Sequence, residues 1–390
     1  MSGGTAVETR SSGLGFGRSD IMSTASGEAD AKVEGESNVP VASQLTCLGE
    51  FKDAVSSRTV IMVMGVLVLQ LGFILSYVGA FHSPKPVRIP LGVVAPASVS
   101  SKISNGINGI HGRPLAAREV SDKAAARRQI EDLTLTAALV VNPTSKTDTL
   151  LVASAGGTSL VSAVEAVTTA VEANVHRNVQ VVDVVPLQKG DGHGLTGFYL
   201  VFGWIVGGYL CAALFGISSG AKAATFRRSI IRLLALVLYS LASGLGGVIV
   251  VGPVLGALSG HFVALWCLGT LIVFTAGAVT LAFQGLFGIL GIALTVLLFV
   301  VLGNPSAGGA YQAGLLPPFW RAISSALPNG AGVDSARRIV YFGAQGIYGH
   351  LFVICLYALG GTVVTLLASL RNERKATRVA LITTPQAVAC

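Results

Sequence analysis

Six apolar stretches, none holding an Asp or Glu, decide what this chain can fold into. They run over 59–81, 197–217, 229–252, 261–283, 286–303 and 347–370. Each is near the roughly 20 residues that a bilayer-spanning helix requires, with the fifth at the short end. A polar segment, 82–196, separates the first stretch from the second, and no acidic residue occurs between Gly192 and Val333. Proton and sodium relays need ionisable groups inside the bilayer. A chain without a carboxylate in its spans lacks that device, so any transport it performs draws energy from elsewhere.

Charge placement sets the expected orientation. Charged residues are only 12% of the chain, about half the usual share of a soluble domain. The net charge of +8 is not a nucleic-acid signal, because the basic residues between spans collect at span ends. Arg58 precedes the first; Lys222, Arg227, Arg228 and Arg232 lie between the second and third; Arg371, Arg374, Lys375 and Arg378 follow the last. With all three places cytoplasmic, the topology closes as six transmembrane helices in a plasma (inner) membrane. Both termini lie inside and 82–196 outside. Arg232, inside the third stretch, is expected to snorkel to the inner headgroups. The turn at Gln284-Gly285 makes the fourth and fifth spans a tight hairpin.

The fold class expected is therefore an α-helical polytopic membrane protein with a small α/β extracytoplasmic domain between its first and second helices. Residues 1–42, rich in Gly, Ser, Ala and Glu, read as a disordered cytoplasmic tail. Over 43–58, Leu45, Leu48, Phe51 and Val55 recur at helical spacing, which suits an amphipathic juxtamembrane helix or an extension of the first span. In the outer domain, 82–196, strands are expected over 88–96, 136–141, 149–153 and 179–185. Helices are expected over 122–133, capped by Ser121, and over 159–175. The domain has no cysteine; Cys211, Cys267 and Cys355 lie in spans, and Cys47 and Cys390 in cytoplasmic segments. A cytoplasmic tail, 371–390, closes the chain.

Several patterns invite a chemical reading. Gly216-Ile217-Ser218-Ser219-Gly220 fits G-x-S-x-G, but a nucleophile elbow needs a strand-to-helix turn, and this one ends a membrane helix. His261 and His350 fall at outer span ends, away from Ser218. There is no Walker A loop and no metal-ligand spacing, so no cofactor and no catalytic residue is assigned and no enzymatic activity is expected. The outer carboxylates, Asp148, Glu172 and Asp191 among them, show no pairing by spacing and read as solvated. Gly203/Gly207 and Gly252/Gly256 are G-x-x-x-G pairs that suit close helix packing. The outer loop 304–346 carries two short helices dipping into the outer leaflet. One runs from Phe319 to Leu327 and is ended by Pro328-Asn329-Gly330. The second starts near Asp334 and presents Arg337 and Arg338. Trp320 suits the interface.

One span, an outer domain, four spans, a Pro-bounded outer loop and a last span resemble the ABC-2-type transporter permeases, the YhgE/Pip-like branch in particular. The stretches that carry the resemblance are IPLGVVAP, VVDVVPLQKGDGHGLTGFYL and LLPPFWRAISSALPNGAGVDSARRIVYF, within roughly 45–370. It implies a permease that exports a hydrophobic or amphipathic compound, as a homodimer or paired half-transporter, with a separate ATPase subunit. The surfaces meeting that ATPase would be 43–57 and 218–228, where Lys222, Arg227 and Arg228 could equally contact anionic lipid. Arg337, Arg338 and Trp320 would form the outer-leaflet interface. Partners are then the lipid bilayer and the ATPase, not nucleic acid. Two other readings stand beside this one: a non-transporting membrane protein whose outer domain binds a ligand, envelope component or phage, and an ion-coupled transporter.

Overall fold

The computed structural model describes residues 57–223 and 225–383; the tail expected over 1–42 and nearly all of 43–58 lie outside them. Helix α1 (Ser57–Phe81) leads into the polar segment. There β1 (Ile89–Val94), α2 (Ala97–Asn108), β2 (Leu115–Glu119), α3 (Lys123–Glu131), β3 (Ala137–Val140), β4 (Thr147–Val152), α4 (Thr158–Asn174) and β5 (Asn178–Asp183) follow in order. The helical part comprises α5 (Thr196–Ser219), α6 (Phe226–Val254), α7 (Phe262–Phe287), α8 (Leu290–Ser306), α9 (Pro318–Ser324), α10 (Pro328–Tyr341) and α11 (Tyr348–Thr383).

The polar segment is one five-stranded mixed sheet, ordered β2-β1-β3-β4-β5. β1 runs parallel to β2 and β3, β4 is antiparallel to β3, and β5 is parallel to β4. Side chains alternate between its two faces as the pleat demands. Leu91, Val93, Leu139, Leu150 and Val152 pack with Ile107 of α2 and Val164 of α4. Ala138 and Leu151 pack on the opposite face with Ala126 and Ile130 of α3. The expected strands and helices are all present near their expected bounds. Two elements come in addition, α2 and the edge strand β2. The α3 cap is also different: Asp122 Oδ1, not Ser121, accepts from the Ala125 N–H at 2.8 Å, while Ser121 Oγ donates to Asp122. A carboxylate is the better acceptor at a helix N-terminus.

Among the described residues, five helices are long and apolar enough to cross a membrane: α1, α5, α6, α7 and α11. The stretch expected as a fifth span, 286–303, forms α8, which is shorter. The chain reverses not at Gln284-Gly285 but at Gly288, whose φ of 65° is open to glycine. α8 then packs back on α7, with Gly291 against the Phe283 and Gln284 backbone. Helix α11 does not stop at 370 but continues to Thr383, since no Gly or Pro interrupts 371–383.

Helix α7 is the axis of the bundle. α5, α6 and α11 all pack against it, and each approaches through a glycine. A Cβ on Gly208 would overlap the Val273 carbonyl, one on Gly244 the Thr270 N–H, and one on Gly361 the Val279 N–H. Backbone approach of this kind substitutes for the hydrophobic effect, which does not draw helices together in lipid. Trp204 fills the remaining space over Gly247 and Gly269. Of the G-x-x-x-G glycines read from the sequence, only Gly207 lies against a neighbouring helix among the described residues. Gly203 faces open space, Gly207 faces Tyr239 of α6, and Gly256 sits in a turn with φ 61°.

Candidate functional site: the junction between sheet and bundle

The loop 304–346 lies beneath the α/β domain and inserts into its core from both sides. Tyr311 and Leu315 pack on one face of the sheet, and Tyr341 and Phe342 on the other. The Lys85 N–H donates to the Leu315 carbonyl at 3.1 Å and the Val87 N–H to Gly314 at 3.1 Å. Ser159 Oγ donates to Gln312 Oε1. Gln312 can come this close because Gly157, at φ 139°, has no side chain there.

Helix α10 begins earlier than expected. Pro328-Asn329-Gly330 opens it rather than ending the preceding helix, because proline fits the first helical turn, where its missing N–H costs nothing. Its first half is buried in the bundle. Asn329 Nδ2 donates to the Phe299 carbonyl at 2.9 Å and to Asn304 Oδ1 at 3.2 Å, and Asn304 in turn donates to Tyr77 Oη at 3.0 Å. The first bond satisfies the Phe299 carbonyl within the π-helical part of α8, and the chain of bonds ties it to the end of α1. Past Val333 the helix stays packed on the bundle through Ala336, Ile339 and Val340, while its opposite face turns polar.

Asp334, Arg337 and Arg338, three and four residues apart, share one face of α10. They form one wall of a cavity of about 160 Å³ whose other walls are Leu133, Leu135, Thr136, Gly156 and Leu160 of the domain. Asp334 and Arg337 neutralise each other at 2.7 Å. Arg338 makes no ion pair among the described residues; its NH1 donates to the Gln345 carbonyl at 2.6 Å. Burial pulls Arg338 below its ordinary value, Asp334 opposes that and Arg337 adds to it. A guanidinium nevertheless stays charged at neutral pH.

A second polar contact fixes the return into the bundle. Tyr341 Oη donates to Asp191 Oδ2 at 2.6 Å, and Asp191 Oδ1 accepts from the Thr196 N–H at 2.9 Å. Burial and the bond to Asp191 hold the Tyr341 phenol above its usual range. Gln188 Oε1 accepts from the Ser259 N–H at 2.7 Å, and its Nε2 donates to the Ser259 carbonyl at 3.1 Å. The domain is thereby bonded to the start of α5, the loop before α7 and the end of α10.

The domain also holds a buried ionic cluster. Asp148 is fully buried and Glu172 is 5% exposed. Arg177 Nε donates to Asp148 Oδ2 at 2.7 Å and lies 3.7 Å from Glu172. Burial tends to raise Asp148, but bonds from Arg177 and the Asn142 N–H outweigh it and hold the carboxyl below its ordinary value. Burial, then the Asp148 charge, pushes Glu172 up to about 7. Sequence spacing could not show this, since residues 148, 172 and 177 meet only across the β4-α4-β5 unit.

The other site residues fall as follows. Trp320 is buried against Ala80 and Leu316, and its exposed neighbour is Phe319. Lys222, Arg227 and Arg228 are exposed, at the end of the bundle remote from the sheet. Arg232 is buried there; it donates to the Ser219 and Gly220 carbonyls at 3.1 and 2.9 Å. It therefore caps α5 instead of reaching the headgroups. Ser218 donates to the Leu214 carbonyl at 2.8 Å within its own helix, and His261 precedes α7 at the other end of the bundle. Among the described residues no group of three or more His, Cys, Asp or Glu could hold a metal ion. The chain matches no family model, no curated protein and no solved structure, so its function has to be argued from this geometry.

Proposed function

We propose that the chain is the membrane-spanning subunit of an ABC-2-type exporter of the plasma (inner) membrane. It moves a hydrophobic or amphipathic compound outward with energy from a separate ATPase, as a homodimer or paired half-transporter. The observation that carries this reading is the bundle itself: helices α1, α5, α6 and α7 contain no Asp or Glu, and α11 has none before Glu373 toward its end. Such a bundle offers no carboxylate relay for an ion gradient. In this reading α8 is a sixth crossing. Its start lies beside the end of α7, and the residues that follow it, 311–315, bond to the sheet domain, so it travels from one end of the bundle to the other. Both termini are then cytoplasmic, the sheet domain is extracytoplasmic, and the exposed Lys222, Arg227 and Arg228 face the ATPase or anionic lipid.

Export of a lipophilic fluorescent dye from cells expressing the protein tests this reading. Efflux should persist when an uncoupler collapses the proton gradient at constant ATP, and should stop when ATP is depleted. Efflux that stops with the uncoupler alone would return the ion-coupled reading. A second reading, that the outer domain serves to bind a ligand, is favoured by one observation, the cavity at Arg338.

A further inference from the structure

We infer that the cavity between the α/β domain and α10 binds an oxyanion, a carboxylate or phosphate, through Arg338. The inference does not depend on transport. The cavity carries one uncompensated positive charge, because Asp334 is spent on Arg337 at 2.7 Å. Among the described residues no other acidic residue lines it, and none occurs from Gly192 to Val333 to supply one from the bundle. Arg338 has five N–H donors, and the Gln345 carbonyl takes one of its nitrogens. A charge lining a partly buried cavity costs free energy unless a counter-charge meets it.

Shape adds a size limit. The cavity of about 160 Å³ is smaller than the roughly 300 Å³ that begins the range for drug-sized ligands. It accommodates a headgroup and the first carbons of a chain. Leu133, Leu135 and Leu160 supply an apolar wall for those carbons, and Thr136 adds a hydroxyl. A guanidinium fork suits a planar or tetrahedral oxyanion better than any neutral group. Two sources share this chemistry, the headgroup of an anionic amphipath and a free anion.

The test uses the full chain in phosphatidylcholine nanodiscs with radiolabelled dodecyl phosphate, counted above empty discs. Saturable binding is expected. Arg338→Gln should weaken it about tenfold or more, the effect of losing a charge-assisted bond, and Arg338→Lys should restore part. Gly156→Leu should weaken it without touching the charge. A Cβ at Gly156 meets only Phe342 and Leu133, at 3.9 and 4.0 Å, so the larger side chain fills the cavity rather than breaking the fold. Competition by inorganic phosphate assigns the site to free anions; its failure to compete, with binding intact, assigns it to amphipaths. Equal binding by the wild type, Arg338→Gln and Gly156→Leu overturns the inference, as does equal competition by dodecanol.

Discussion

Helices α1 and α7 are similarly long and apolar, yet their places in the molecule are opposite. Only 6% of the apolar stretch of α1 is buried, against 56% of that of α7. The difference lies in small residues. α7 meets Gly208, Gly244 and Gly361 of its neighbours at backbone distance, whereas Gly65 and Gly72 of α1 have nothing within 4 Å. α1 touches protein at its end, where Ser76 donates to the Val301 carbonyl and Ala80 packs on Leu316 and Trp320. Apolar character places a helix in the membrane; backbone approach decides whether it is core or periphery. A second contrast separates bundle and sheet domain. The bundle is held by shape, while the domain keeps a buried cluster whose charge state matters.

The sharpest way to break the first contrast is a matched pair of substitutions. Gly208→Leu, or Gly361→Leu, drives a side chain into the α7 backbone and should cost more than about 3 kcal/mol, the upper range of overpacking. Gly72→Leu, on the open face of α1, should cost less than about 0.5 kcal/mol. Recovery of monodisperse protein after solubilisation separates the two. Equal recovery would mean that α7 is not the packing axis.

That asymmetry was not readable in advance. Five of the six stretches were legible as span-length helices because hydropathy over bilayer length needs no tertiary information; the remaining one, 286–303, forms the shorter α8. The chain has 48 glycines, however, and spacing alone picked Gly203 and Gly252 over Gly208, Gly244 and Gly361. The domain's strands were legible from their apolar runs and proline stops. β2 was not, because Leu115–Glu119 is an edge strand with two charges. Nor was α2, whose buried face is mostly serine, Ser100 and Ser104 beside Ile107. The ionic cluster and the Arg338 cavity join residues distant in sequence, so no local pattern announces them.

The second contrast predicts a large effect confined to the domain. Asp148→Ala removes the carboxylate that bonds Arg177 and the Asn142 N–H, and should cost about 3 kcal/mol. Hydrogen exchange at β4 and β5 should quicken while α7 amides stay protected. Loss of protection in both would show that domain and bundle unfold as one unit.

The pH dependence follows from Glu172. Its folded value, about 7, lies above that of the unfolded carboxyl. The folded state therefore holds a proton that the unfolded state has lost. That contribution is full below about pH 4.5 and is lost as pH rises through about 7, a change of about 2 kcal/mol after allowance for solvent. Glu172→Gln should flatten this window. Asp148 acts in the opposite sense, and its stabilisation is lost only in acid below the ordinary carboxylate range. Bundle amides, with no carboxylate beside them in the spans, should show no change over the same window.

The smallest expected effect separates neighbouring residues. Asp122→Ala removes the α3 cap and should cost about 1 kcal/mol, while Ser121→Ala should cost a few tenths. Thermal unfolding of the two variants checks the order.

The central claim is that a bundle without a carboxylate along its apolar stretches carries the sheet domain on the outer side and its exposed basic residues on the inner side. Ser121 and Ser219 are both exposed and sit at opposite ends. In a background with the native cysteines replaced, an impermeant maleimide added to intact cells should label Ser121→Cys. It should reach Ser219→Cys only after permeabilisation. Labelling of Ser219→Cys in intact cells, with Ser121→Cys protected, would contradict the account.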